Sequence, residues 1–239
     1  MSDGTEKSGG GQFRLLGTRR FGPLFLTQFL GAFNDNLYKN ALVVLVTFQA
    51  AQWTPMRPEI LANLAAGLFI LPFFFFSATA GQLADKYDKA LLARLTKLLE
   101  VGIMLVAIAG FLLHSLTLLL AALFLLGLQS TLFGPVKYAI LPQHLNEREL
   151  VGGNAQVEAG TFVAILIGTL AGGLLAGAGV DAVWIAFAGL GVAVAGYIAS
   201  RGIPDAPPPA PDLVVNVNPL SETWRNIGFA RENRAVFLS

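Results

Sequence analysis

Residues 61–83 read LANLAAGLFILPFFFFSATAGQL, a run that contains no charged side chain. A helix needs about 20 predominantly apolar residues to cross the hydrocarbon core of a bilayer. The next residues, 84–89, read ADKYDK, so the apolar run ends at a charged loop. This stretch therefore predicts a transmembrane helix followed by a short polar connection.

Five further apolar stretches of similar length flank this one, over 21–50, 91–113, 116–136, 154–176 and 182–203. Hydrophobic residues make up 54% of the 239-residue chain and charged residues only 13%, whereas a soluble domain carries about 25% charged residues. The runs are too long for strands and show no polar alternation. They predict an all-α membrane protein built as a six-helix bundle.

The predicted organisation has four parts. Residues 1–20 form a polar, cytoplasmic N-terminal tail, and residues 21–203 form the six-helix transmembrane bundle. Residues 204–233 begin PDAPPPAP and form a cytoplasmic Pro-rich linker, expected to be extended rather than packed. Residues 234–239 resemble the start of a seventh helix, so we expect a fragment or one half of a two-bundle protein.

Basic residues are distributed asymmetrically across the predicted spans. With the N-terminus inside, fourteen Lys and Arg residues fall in inside segments, Arg57 alone falls outside, and Lys39 lies within a span. An excess of Lys and Arg marks the cytoplasmic side. The count predicts that both ends of the chain are cytoplasmic.

Composition excludes several classes of site. Cysteine is absent, and the two histidines, His114 and His144, have no partner at ligand spacing, so no metal site is predicted. A net charge of +1 gives no indication of nucleic-acid binding. The chain also lacks a nucleophile elbow, a phosphate-binding loop and an H-x-x-x-x-D acyltransferase signature. We therefore expect no enzyme and no cofactor within these residues.

Asp35 and Lys39 are the most costly residues of the sequence, since they lie in the middle of an apolar stretch. A charge at the bilayer centre costs roughly 2.5 to 3.5 kcal/mol on insertion scales. Their spacing lets them pair on one helix face, in a polar or small stripe with Gln28, Gly31 and Ala32. The stripe predicts a face on a wet cavity, although a self-neutralising pair that only fixes helix packing is the structural alternative.

Other polar and small residues within the spans leave alternatives open. Glu100 follows Lys97 by three residues, so a local ion pair is the simpler interpretation, whereas Glu158 has no basic neighbour within four residues and is the stronger functional candidate. A proton-coupling role is open for either acid. The phenylalanines 73–76 could face lipid or line an acyl-chain path. Glycines at spacing four in residues 160–177 predict close helix packing.

Residues 81–89, GQLADKYDK, resemble the loop G-x-L-A-D-[RK]-x-x-[RK] of the major facilitator superfamily. The resemblance implies a conformational gate formed by Gly81, Asp85, Lys86 and Lys89. We expect Gly81 to allow close helix approach and Asp85 to cap a helix N-terminus. Asp88 departs from the family, which often has Gly there.

Three further stretches are similar to bacterial lysophospholipid transporters: QFLGAFNDN at 28–36, GPVKYAILP at 134–142, and residues 153–173. The resemblance implies the N-terminal half of a twelve-helix, multi-pass transporter of the bacterial inner membrane. Such a protein moves lysophospholipids, typically lysophosphatidylethanolamine, to the inner leaflet. The implied partners are this lipid, membrane lipids, a C-terminal six-helix half and, in many relatives, fused acyltransferase domains.

The implied substrate path comprises Asp35, Asn36, Lys39, Lys137 and Glu158. Asp35 suits the ammonium of a zwitterionic headgroup, and Lys137 suits the phosphate as a compact point charge. Two other functions remain open at this point. One is a major-facilitator carrier of another small solute, and the other is a membrane anchor for a fused acyltransferase.

Overall fold

The chain folds into α-helices. A computed structural model describes residues 13–49, 54–216 and 218, and within them there is no β-strand. After a short 3₁₀ helix at Phe13–Gly17, the α-helices are α1 (Gly22–Phe48), α2 (Pro58–Lys86), α3 (Lys89–Leu112), α4 (Leu116–His144), α5 (Glu147–Gly177) and α6 (Ala182–Ser200). The all-α prediction is confirmed. The expected seventh helix at 234–239 lies outside the described residues, as do residues 1–12 of the tail and most of 204–233 beyond residue 216.

Five of these helices, α2 to α6, are long and apolar enough to cross a membrane. The central helix α1 is not among them, because Asn34, Asp35, Asn36, Lys39 and Asn40 lower its hydropathy. Large apolar side chains remain exposed on the outer surface, for example Phe74 at 66% and Leu174 at 69%. Such a surface fits a lipid surrounding, and the six-span count stays a prediction.

Side-chain caps define where several helices begin. Asp88 accepts a hydrogen bond from the Leu91 amide at the start of α3 (2.8 Å), and Asp181 accepts one from Val183 at the start of α6 (3.0 Å). A capping box with Glu149 opens α5. The same carboxylate receives two hydrogen bonds from Arg20, at 2.7 and 2.6 Å, and this pairing raises the pKa of the guanidinium.

Two helix boundaries differ from the sequence expectation. Residues 147–150 lie outside the predicted span 154–176, but they form the first turn of α5 because the capping box starts the helix there. The fourth helix continues past residue 136 to His144, and Pro135 and Pro142 both lie inside it. Only Leu145 and Asn146 remain as the connection between α4 and α5.

The helices α1 and α5 pack closely through glycine. An added Cβ at Gly168 would clash with the carbonyl oxygen of Phe33, and one at Gly172 would clash with that of Leu37. In contrast, Gly173 and Gly177 face open space. The predicted close packing is therefore confirmed for the buried face of α5, where small residues let two backbones approach.

Residues 203–210 form an extended segment, here called the strap, which packs across the end of the bundle. The side chains of Ile203 and Ala206 are fully buried. The backbone of Ala206 makes two hydrogen bonds to the 88–89 turn: its amide donates to the Asp88 carboxylate and its carbonyl accepts from the Lys89 amide, both at 2.9 Å. Gln143 of α4 donates to Pro207 (3.2 Å).

The expectation of an unpacked linker was therefore wrong for this segment. Proline fixes an extended backbone but leaves carbonyl groups free to accept hydrogen bonds. The 88–89 turn and α4 supply the donors.

Candidate functional site

A cavity of about 480 Å³ lies along α1 and is closed by α2, α4 and α5. It is lined by polar residues from α1 and α4 and by aromatic residues from α2 and α4. The polar and charged lining residues are Gln28, Asp35, Asn36, Lys39, Lys97, Gln129, Ser130, Lys137, Tyr138 and Thr161. The cavity brings several charged groups together in one concave space, which makes it the candidate site.

The predicted stripe on α1 lines this cavity along its whole length, from Gln28 through Asp35 to Lys39. Asp35 is 6% exposed and accepts a hydrogen bond from the Ser130 hydroxyl of α4. Its other oxygen, Oδ1, is buried and has no hydrogen-bond partner among the described residues. A buried polar group without a partner is uncommon, so this oxygen has an unused capacity to accept a hydrogen bond.

Asp35 and Lys39 do not pair with each other, contrary to the prediction from their spacing. No ion pair joins them within 4 Å in the described residues. Lys39 instead donates to Asn36 Oδ1 (2.9 Å), and its Nζ lies 4.9 Å from the ring centroid of Phe69. The carboxylate and the ammonium therefore do not neutralise each other through a direct ion pair.

Lys137 lines the same cavity from α4. Its Nζ lies 4.6 Å from the ring centroid of Tyr138, and the Tyr138 hydroxyl donates to the carboxylate of Glu158 on α5. Glu158 is itself half-buried and reaches the cavity through this tyrosine. All five residues predicted for the substrate path thus lie on or beside one cavity.

A buried ion pair forms part of the cavity wall. Lys97 and Glu100 of α3 are 2.6 Å apart, and both side chains are 1% exposed. Glu100 also accepts hydrogen bonds from Asn34 of α1 (2.7 Å) and Gln129 of α4 (3.4 Å). The local pair predicted for Glu100 is confirmed, and it joins three helices. Lys97 is one of the fourteen basic residues that the sequence analysis assigned to the inside segments. In the structure it lies well inside α3.

Aromatic side chains form the apolar part of the wall. Phe69 and Phe73 of α2 and Phe133 of α4 line the cavity, and Lys97 Nζ lies 5.4 Å from the Phe133 ring. The phenylalanine run 73–76 is divided, since Phe73 lines the cavity while Phe74 points to the outer surface. The run therefore has members on both surfaces, and an acyl-chain path along it stays a prediction.

The predicted gate residues lie apart from this cavity, at the turn between α2 and α3. Asp85 is exposed in the last turn of α2 and caps no helix, because Asp88 caps α3. An added Cβ at Gly81 would meet nothing within 4 Å in the described chain, so the expected close approach is not seen. Lys89 is 2% exposed, and its ammonium donates to the Pro207 carbonyl of the strap (3.1 Å).

Sequence reasoning missed several cavity residues, among them Ser130 and Gln129. These adjacent residues are uncharged and lie within a long apolar helix. Their cost of insertion into a membrane is small, so the sequence does not mark them as the charged residues are marked. A usable signal was their position opposite the charged stripe once α1 and α4 are packed together. The same holds for Thr161, which donates to Gln28 Oε1 across the cavity (2.7 Å).

Comparison with known proteins gives the family. The model of the Major Facilitator Superfamily matches residues 24–238. The chain belongs to the Major Facilitator Superfamily. This confirms the resemblance carried by the 81–89 loop.

Curated relatives are similar over much of the chain. The lysophospholipid transporter LplT of Enterobacter sp. (strain 638) is 29% identical over 206 residues, which cover 83% of this chain and 47% of the relative. LplT of Escherichia coli (strain SE11) is 31% identical over 156 residues, 64% of this chain and 36% of the relative. This chain spans about half the length of these relatives at most.

A solved structure shares the fold. A mutant of the peptide transporter POT, crystallised with sulfate, aligns with a TM-score of 0.54 at 21% identity. The alignment covers 91% of this chain and 45% of that transporter. At this identity the likeness concerns the fold alone.

Proposed function

We propose that the chain is the N-terminal half of a lysophospholipid transporter that works between the leaflets of the bacterial inner membrane by alternating access. Similarity to proteins named lysophospholipid transporter LplT supports the substrate class. The matched length, about half of those relatives, supports the assignment to one half. Both termini would then be cytoplasmic, as the distribution of basic residues predicts.

The observation that carries the proposal is that side chains of opposite charge line one cavity. Asp35 presents an oxygen without a partner, and the ammonium groups of Lys39 and Lys137 line the same space. A phosphoethanolamine headgroup carries one ammonium and one phosphate. In the proposed complex Asp35 accepts from the lipid ammonium, and the lysines hold the phosphate.

The acyl chain of a lysophospholipid needs an apolar path. Phe69, Phe73 and Phe133 lie in the same cavity as the charged groups, and Phe74 continues the aromatic surface toward the outside. The headgroup would bind beside α1 while the single chain lies along the phenylalanines of α2 and α4. A carrier of a small polar solute would have little use for this apolar wall.

A second six-helix bundle would complete the site. In transporters of this architecture the substrate lies near the bilayer midplane between two repeats, and the repeats rock against each other. The cavity along α1 supplies one wall. The 81–89 loop, with Gly81, Asp85, Lys86 and Lys89, would serve the rocking motion at the cytoplasmic end.

Uptake of labelled lysophosphatidylethanolamine into vesicles that contain the complete protein tests this proposal. Asp35→Asn removes the charge that the ammonium needs, and Lys137→Gln removes one that the phosphate needs. Loss of either charge-assisted contact is expected to reduce uptake on the order of tenfold or more. Arg57→Gln and Glu59→Gln are matched controls, because this exposed ion pair lies at the start of α2 and does not line the cavity.

The two rival functions give different results. For a carrier of another solute, excess unlabelled lysolipid would not compete, and a sugar or drug would be taken up instead. For an anchor of a fused acyltransferase, Asp35→Asn would leave lipid uptake intact while acylation is lost.

A further inference from the structure

A second cavity, of about 420 Å³, lies outside the candidate site, between the start of α3 and the end of α6. Its lining combines apolar, aromatic and cationic side chains: Leu91, Arg94, Leu95, Leu98, Tyr197 and Arg201. It is here called the basic groove. The function proposed above uses none of these residues, so the groove calls for a separate explanation.

The two arginines differ in how they are held. Arg94 donates to the Ile203 carbonyl (3.0 Å), and its charge is partly offset by Asp205 at 3.7 Å. Arg201 is exposed and makes neither a hydrogen bond through its side chain nor an ion pair within the described ranges. The groove therefore carries a net positive charge that Asp205, itself 90% exposed, only partly balances.

The position of the groove matches a bilayer interface. Arg201 follows directly after α6, and Arg94 lies about one and a half turns into α3, roughly 7 Å along the helix axis. Tyr197 adds a ring with an apolar body and a polar tip, as side chains at headgroup level commonly do. Beyond it, Leu91, Leu95 and Leu98 are between 45% and 52% exposed and continue along α3.

We propose that the basic groove binds the phosphate of an anionic glycerophospholipid of the surrounding bilayer, with the lipid chains lying along the leucines of α3. Basic pockets between transmembrane helices recognise anionic headgroups, because guanidinium groups match phosphate oxygens. The exposed leucine ridge selects a lipid over an acidic peptide, since this surface faces acyl chains in a membrane. The inference does not depend on what the protein transports.

A neighbouring pocket strengthens the assignment to a lipid. It has a volume of about 150 Å³, is almost wholly apolar, and lies on the other side of Leu95. Leu95 lines both spaces, and Leu83, Leu92, Leu99 and Leu132 line the apolar one. A glycerophospholipid whose phosphate occupies the groove has two chains, and one of them can fill this pocket.

The experiment is a titration of the purified full chain in detergent with phosphatidylglycerol, followed by native mass spectrometry. Phosphatidylcholine, which has no net charge, and free glycerol phosphate, which has no acyl chain, are the comparison ligands. Arg201→Gln removes the unpaired charge. Arg148→Gln is the matched control, because Arg148 is exposed at the start of α5 and does not line the groove.

The proposal predicts that phosphatidylglycerol binds with an apparent Kd on the order of tenfold lower than phosphatidylcholine. Arg201→Gln should remove this preference and Arg148→Gln should leave it intact. In unmodified protein, phosphatidylglycerol should raise the Tm while glycerol phosphate does not.

Three results would overturn the proposal. An equal loss of the phosphatidylglycerol preference in the two arginine variants would indicate unspecific electrostatic attraction. Equal binding of phosphatidylglycerol and phosphatidylcholine would show that the groove does not distinguish lipids by charge. Effective competition by glycerol phosphate would identify a small-anion site instead of a lipid site. The Tm comparison uses unmodified protein, so it still tests the proposal if Arg201→Gln fails to fold.

Discussion

The hydroxyl of Ser130 in α4 donates a hydrogen bond to the carboxylate of Asp35 in α1. The bond joins the two helices that supply most of the polar cavity wall, and it occupies one carboxylate oxygen while the other has no partner among the described residues. Ser130 thereby orients the group that the proposed lipid ammonium needs.

Replacing Ser130 by Ala should reduce lysophospholipid uptake without unfolding the protein. A hydrogen bond to a charged group contributes about 1.5–3 kcal/mol, so we expect roughly a tenfold loss of uptake. Ser130→Thr keeps the hydroxyl and should retain most of the activity. Ser77→Ala, on an exposed position of α2, is the control. Full uptake by Ser130→Ala would show that Asp35 needs no help from α4.

The buried pair Lys97 and Glu100 should be a strong stability determinant. Removal of one partner leaves a buried charge without compensation and should cost about 3–5 kcal/mol. The double variant Lys97→Met with Glu100→Leu removes both charges and should recover much of that loss. Denaturant unfolding of the purified chain in detergent measures the cycle. Additive losses in the double variant would contradict the account of a coupled buried pair.

Asp88 should hold the strap in place as well as cap α3. In Asp88→Ala, the amide of Ala206 loses its acceptor, so its hydrogen exchange should accelerate, and the lost cap should cost about 0.5–2 kcal/mol. Asp181→Ala removes the cap of α6, which lies at the end of that helix opposite to the strap. If both variants lose similar stability but also show the same exchange at Ala206, the role of Asp88 in holding the strap is refuted.

Gly168 should tolerate no larger side chain. In Gly168→Val the added atoms meet the Phe33 backbone of α1, and overpacking of this kind costs typically about 1–3 kcal/mol. The matched variant Gly173→Val faces open space on the same helix. Thermal unfolding of the two variants should separate them, and equal Tm values would contradict the close approach of α1 and α5.

Charged residues made the α1 wall predictable from the sequence. Asp35 and Lys39 are so costly in an apolar helix that their face had to meet a polar space, and helical spacing then placed Gln28 on the same wall. Their mutual pairing could not be predicted, because spacing along one helix says nothing of Asn36 as a competing acceptor or of Ser130 on another helix.

Local sequence patterns did not predict the packing of the strap or the residue that caps α3. The prolines of 204–211 fit a segment that lies outside the helices, but composition does not tell which donors its carbonyl groups will meet. The loop resemblance assigned the cap to Asp85, whereas the helix starts three residues later, so Asp88 takes that place. The strap depends on tertiary contacts between segments more than 100 residues apart, whereas the cap of α3 is a local contact between Asp88 and Leu91.

The central claim is that Asp35 reads the ammonium of the lipid headgroup. The most direct measurement compares uptake of lysophosphatidylethanolamine with that of lysophosphatidic acid, which lacks the ammonium, in vesicles that contain the complete protein or its Asp35→Asn variant. The account predicts that the substitution lowers uptake of the ethanolamine lipid strongly and leaves uptake of lysophosphatidic acid nearly unchanged. An equal effect on both lipids, or none on either, would contradict it.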